Sequence, residues 1–160
     1  MNTFDEIKNE FLGENYQTKV KIGKYAVGNF MEAFEIFAKD SSLDLKGFSV
    51  DKFALLTVIN VISQFVYADG NLDENELEYL NDIFSLTGSD KLAESDVQGI
   101  KNSGPTFDKL DYLIDQMGRS NNSKVTVGKF AMFVIAINFC SIDGDITLKE
   151  KAMLIQLLDA

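Results

Sequence analysis

The chain has 160 residues, of which 46% are hydrophobic and 25% charged, the balance of a single globular domain with a substantial core. Aspartate and glutamate outnumber lysine and arginine 25 to 15, a net charge of −10 that repels phosphate backbones and anionic membranes and favours cations or basic protein partners; nucleic acid is excluded as a partner class. There is no histidine and one cysteine, which removes the commonest general base, an internal disulfide and a closed thiolate zinc site.

The first stretch, "MNTFDEIKNEF", is acidic and amphipathic and lacks the basic start and long apolar core of a signal peptide, so the expected compartment is the cytoplasm. Its carboxylates read as a solvated helix face, while Phe4, Phe11 and Leu12 either pack inside the chain or form a homodimer contact. Phe30, Phe34 and Phe37, with Ala33 and Ala38, mark a helix over 21–39 whose aromatic stripe reads as core. Phe53, Leu56, Ile59, Ile62 and Val66 form a long stripe that ends just before Asp69. Leu77, Leu80, Ile83 and Phe84 make the next helix. The segment 89–103 carries few apolar residues and is read as a short surface helix. Phe107, Leu110, Leu113, Ile114 and Met117 follow. The run from Val127 to Ile142 is apolar nearly all round, the mark of a central buried helix with Cys140 as a core thiol. Its longest apolar stretch, "FAMFVIAINFC", is shorter than a membrane span. Met153, Leu154, Leu157 and Leu158 close the chain. With breaks at "KDSSLDLKG", "TGSD", "NSGP" and "GRSNNS", the fold is all-α, one bundle over 1–160 of seven or eight helices.

Two Asp-Gly turns recur, "YADGNLDENELEYL" at 67–80 and "SIDGDITLKEKAML" at 141–154. Asp69 aligns with Asp143, Gly70 with Gly144, Leu72 with Ile146, Glu76 with Glu150 and Leu80 with Leu154. Upstream, "SVDKFAL" resembles "TVGKFAM" at an offset of 77 rather than 74, which makes the first copy's helix about one turn longer. A duplicated helix–turn–helix unit, about 49–86 and 123–160, predicts two antiparallel helix pairs about a pseudo-twofold axis.

Much of this turn serves structure. Asp73 with Glu76, and Thr147 with Glu150, have capping-box spacing, and Gly70 and Gly144 suit left-handed helix ends. Asp69 and Asp143 are different, because each puts a carboxylate where the helix macrodipole disfavours it. Three compensators are open: the N–H groups of the next helix, a lysine such as Lys52 or Lys129, or a bound divalent cation. Against an EF-hand loop, Asp69, Asp73 and Glu76 would stand at positions five, nine and twelve, but the first half of each loop has no carboxylates. What remains is an oxygen-ligand site built from Asp69, Asp73 and Glu76, or from Asp143, Asp145 and Glu150.

A long helix ending in Ala68-Asp69-Gly70, then Leu72 and Glu76, repeated at Asp143, Gly144, Ile146 and Glu150, resembles the tellurite-resistance TerB-like family. The resemblance implies an all-helical bundle with internal pseudo-symmetry, metal ions bound by acidic residues of the turns, and a part in chemical stress responses. It also implies the stand-alone form of a module found in membrane-associated DnaJ-like proteins. Thr147 departs from the pattern where the first copy has Asp73, so the two turns need not bind alike. An enzyme is not expected: no nucleophile–base pair is legible, and "GKYAVG" follows no strand and is no phosphate loop. The alternative function is an interaction module whose acidic surface docks a protein partner, with the turns purely structural.

Overall fold

Polar side chains fix where most of the helices begin. Asn15, Ser49, Asp73 and Asn122 stand on extended backbone and accept N–H groups from Thr18 (2.8 Å), Lys52 (3.2 Å), Glu76 (2.8 Å) and Lys124 (3.0 Å). Each bond satisfies a donor that the first helical turn leaves unpaired. The structure, a computed structural model, describes residues 3–158 except for the side chain of Asp69. Among the described residues there are eight α-helices and no strand: α1 (Thr3–Gly13), α2 (Tyr16–Asp40), α3 (Val50–Asp69), α4 (Glu74–Ile83), α5 (Glu94–Ser103), α6 (Phe107–Gly118), α7 (Ser123–Cys140) and α8 (Leu148–Leu158). Single 3-10 turns at Gly88–Asp90 and Ser141–Asp143 precede α5 and α8. The all-α bundle expected from apolar periodicity is the fold observed.

The caps also explain where the expected boundaries move. α2 starts at Tyr16 rather than near residue 21 because Asn15 caps it, ahead of any apolar stripe. α7 starts at Ser123, one turn before "TVGKFAM", because Asn122 supplies the cap. α3 has 20 residues and α7 18, so the first copy's helix is the longer by two residues rather than by a full turn. The surface helix expected within 89–103 is α5, which buries only Val97.

The broadest contact in the molecule is α2 on α7. Phe30, Ala33 and Phe34 of α2 and Met132, Phe133 and Ala136 of α7 are all fully buried. α6 and α8 cover further faces of α7, and α3 lies against α2, α5, α7 and α8. The residues of the aromatic stripe at 30–37 are core, Cys140 is a buried thiol, and Phe4 is buried within the chain, with Phe11 and Leu12 packed against the same core. Residues 50–68 and 123–143 are long and apolar enough to cross a membrane by length and composition, because the apolar run at Phe130 is only part of its helix; more than half of each is buried here as core.

The two helix pairs are not packed alike. α8 folds back on α7, whereas α4 packs chiefly on α2 and on the 3-10 turn at Ser141–Asp143. Tyr16 fastens it there, its hydroxyl donating to Asp82 at 2.6 Å. The start of α4 is thereby carried to the second Asp-Gly turn.

Candidate metal centre

Each turn is shaped first by its own backbone. In the first, Asp73 accepts the Glu76 N–H while Glu76 Oε1 accepts the Asp73 N–H at 3.1 Å, a reciprocal capping box. In the second, Thr147 Oγ1 accepts from Glu150 N (3.1 Å) and Glu150 Oε1 accepts from Thr147 N (2.9 Å). The glycines differ. Gly144 sits at φ 82°, the left-handed conformation expected of it, but Gly70 sits at φ 167°, extended backbone that needs no glycine.

The packing of α4 brings the turns side by side. Asp73 and Glu76 of the first and Asp143 of the second offer carboxylate oxygens that all lie within 4.8 Å of one another. The sequence grouped these residues by turn, and the structure groups them across turns. Asp145 is not among the three; its Oδ1 accepts the N–H of Ile146 at 2.8 Å. Glu150 stays in its capping box, close enough to act on the cluster by charge alone. Asp69 ends α3, and the expectation placed on its carboxylate lies outside the described residues.

Electrostatically the cluster is under-compensated. Burial raises the Glu76 carboxyl from 4.5 to about 7, with the charges of Asp143, Asp73 and Glu150 pushing the same way against the Asp73 N–H. Burial, then the hydrogen bond and charge of Asp73, then the charge of Glu150, raise Asp143 from 3.8 to about 6. The neighbouring charges acting on both groups are carboxylates.

The lysines that serve the helix ends are not those expected. Lys129 pairs with Asp115 at 2.7 Å, and Lys52 lines a shallow groove beside α2 with Lys24 and Asp51. Instead Lys149 Nζ donates to Ala68 O at the end of α3 (3.0 Å), and buried Lys19 Nζ donates to Ser141 O past the end of α7 (2.8 Å). Asn138 completes the second cap from within α7, donating from Nδ2 to Lys19 O and Tyr79 Oη, both at 2.6 Å. Asn138 is legible in sequence as an amide inside an apolar run. Lys19 is not, because Lys19, Lys21 and Lys24 read alike and tertiary packing selects one. Gln64 of α3 donates to Asn60 of its own helix at 3.1 Å and takes no part in that network.

Lys19→Met should lower stability by about 2 kcal/mol, the usual loss for a hydrogen bond from a charged donor, although Gly144 N still reaches Ser141 O. Thermal melts beside Lys21→Met, whose side chain is exposed and whose effect should be near zero, check this.

No protein-family model, curated protein or solved structure matches the chain. The chemistry of the site therefore rests on its donors. All three are hard carboxylate oxygens, with no imidazole in the chain and the one thiol buried in α7. Such a set suits Ca²⁺, Mg²⁺ or Mn²⁺ and not a soft or nitrogen-seeking metal. Opposed oxygens on one Ca²⁺ stand about 4.8 Å apart, twice a typical bond, so all three can reach one ion; Mg²⁺, with bonds of about 2.1 Å, would draw them inward. Asp73 and Glu76 each commit one oxygen to the capping box, and each carboxylate keeps another for an ion.

Proposed function

We infer that this chain is a non-enzymatic, TerB-like helical protein that binds one divalent cation between its two Asp-Gly turns, in the setting of a cytoplasmic stress response of the tellurite-resistance kind. The observation that carries the cation reading is the meeting of Asp73, Glu76 and Asp143 from turns some 70 residues apart, where the neighbouring charges acting on buried Glu76 and on exposed Asp143 are all carboxylates. A cation supplies the missing positive charge, and water completes its shell. The TerB-like motif at Asp69-Gly70 and Asp143-Gly144 supports the same assignment from sequence. The ion tightens the packing of α4 on the second turn, so its expected effect is on stability and on whatever partner reads that end of the bundle.

Calorimetric titration of chelator-stripped protein with Ca²⁺, Mg²⁺, Mn²⁺ and Zn²⁺ tests this. One site per chain is expected, with the hard ions ahead of Zn²⁺. Asp73→Asn and Asp143→Asn should each abolish it, whereas Asp145→Asn should leave it intact. Two independent sites would sink the shared centre. No binding at millimolar ion would leave the turns as helix-hairpin architecture and return the acidic surface to the role of a protein docking face.

A further inference from the structure

On another face, α3, α5, α6 and the α2–α3 connection enclose a mostly apolar groove of about 510 Å³, within the range of small-ligand pockets. Phe53 and Leu56 of α3, Ile100 of α5 and Leu113 of α6 line it, and Phe48 leans over it while 46% exposed. In a chain carrying ten more acids than bases, the charged residues lining this groove are two lysines, Lys46 and Lys109. Neither forms an ion pair among the described residues. The shallower groove at Lys24 and Lys52 differs, because Asp51 lies in its lining.

The start of α6 adds positive potential there, and the turn at Lys46 holds a lysine at the groove's edge. Thr106 begins α6 without a side-chain cap bond, so the N–H groups of that first turn, which also carries Lys109, stay open to an acceptor. The nearby acid Asp108 is engaged by Gln156 of α8 at 3.3 Å and does not line the groove. Lys46 sits at φ 53° and Gly47 at φ 83°, a tight turn closed by Phe48 N–H to Leu45 O at 3.0 Å, with the Asp44 carboxylate, which does not line the groove, accepting the Lys46 N–H at 2.9 Å. A left-handed lysine is costlier than the glycine or asparagine such a turn prefers, and it stands at the groove's edge with Phe48.

We propose that this groove binds a single-chain amphiphile with an anionic head, such as a fatty-acid carboxylate. The tail lies along Phe53, Leu56, Ile100 and Leu113, and the head meets Lys46, Lys109 and the start of α6. The volume suits one chain, and the pair of unpaired lysines on an acidic protein selects the sign of the head. This site is independent of the cation centre, and either can fail without the other.

Sodium laurate, held below its micelle concentration, is the probe. Titration into ¹⁵N-labelled protein should shift the amides of Lys46, Phe48, Gly104 and Lys109 saturably and leave α1 and α8 unmoved. The exposed double variant Lys46→Gln, Lys109→Gln should keep the wild-type melting temperature and bind laurate about tenfold more weakly. Dodecyltrimethylammonium, with the same length of tail and a cationic head, should bind more weakly than laurate to wild type. Equal laurate affinity in the double variant, equal affinity for the cationic probe, or shifts spread over the surface would each overturn the proposal. Failure of laurate to bind also overturns it, and binding of an acidic amphipathic peptide instead would assign the groove to a protein partner.

Discussion

Replacing Glu76 by Gln should raise the stability of the ion-free protein at pH 8 by about 2 kcal/mol, and its melting temperature by roughly 5 °C. Glutamine keeps an oxygen to accept the Asp73 N–H, so the capping box survives, and it removes the charge that burial and three other acids oppose. The sign follows from linkage. The folded-state pKa of Glu76 is raised, from 4.5 to about 7, so the folded protein takes up this proton before the unfolded chain does as pH falls. Wild type should therefore gain stability on going from about pH 8 to pH 5, and the advantage of Glu76→Gln should shrink over that window. Asp143, raised to about 6, leaves a smaller slope of the same sign in the variant. Saturating Ca²⁺ at pH 8 should stabilise wild type and leave Glu76→Gln unmoved. Melts at pH 8 and pH 5, with and without ion, decide the matter. A lower melting temperature for Glu76→Gln at pH 8 would mean that the charge itself holds the turn, and the cation reading would lose its electrostatic basis.

That cluster also marks the limit of what the sequence discloses. The helices were legible because each must bury an apolar stripe, and Phe30, Phe34 and Phe37 or Leu110, Ile114 and Met117 leave the 3.6-residue period in plain view. Their starts were less so. Asn15 and Asn122 open helices whose first turns are polar, and a polar first turn carries no period. The site was legible residue by residue and not as a group. Local spacing joins Asp73 to Glu76, or Asp143 to Glu150, but cannot show that α4 leaves α3 for α2 and brings the first turn's carboxylates to Asp143. Lys19 and Lys149 were missed for the same reason, since each caps a helix distant in sequence. The repeat pointed to a site within one turn or the other, with Thr147 already setting the two apart, whereas unequal packing of the copies brings carboxylates of both turns together.

The contact that sets this packing gives the second large effect, and a sign reversal tests it. Gly128 and Gly28 both lie inside helices, where alanine ordinarily gains up to about 1 kcal/mol over glycine. At Gly28 an added Cβ meets nothing within 4 Å, so Gly28→Ala should stabilise by about that amount. At Gly128 the same atom would stand 2.6 Å from Met117 Cε and 2.8 Å from Ala33 Cβ. The methionine tip can swing away. Ala33 Cβ is fixed to the α2 backbone, so α2 and α7 must shift apart where they cross at Gly128. Gly128→Ala should cost about 1–3 kcal/mol despite its better helix propensity. Because α4 rides on α2 and the second turn ends α7, the same separation spreads Asp73 and Glu76 from Asp143. Denaturant unfolding of the two variants reads the stabilities, and Ca²⁺ titration of Gly128→Ala reads the spreading as weakened binding. A Gly128→Ala protein as stable as Gly28→Ala would mean that α2 and α7 are not in close contact there.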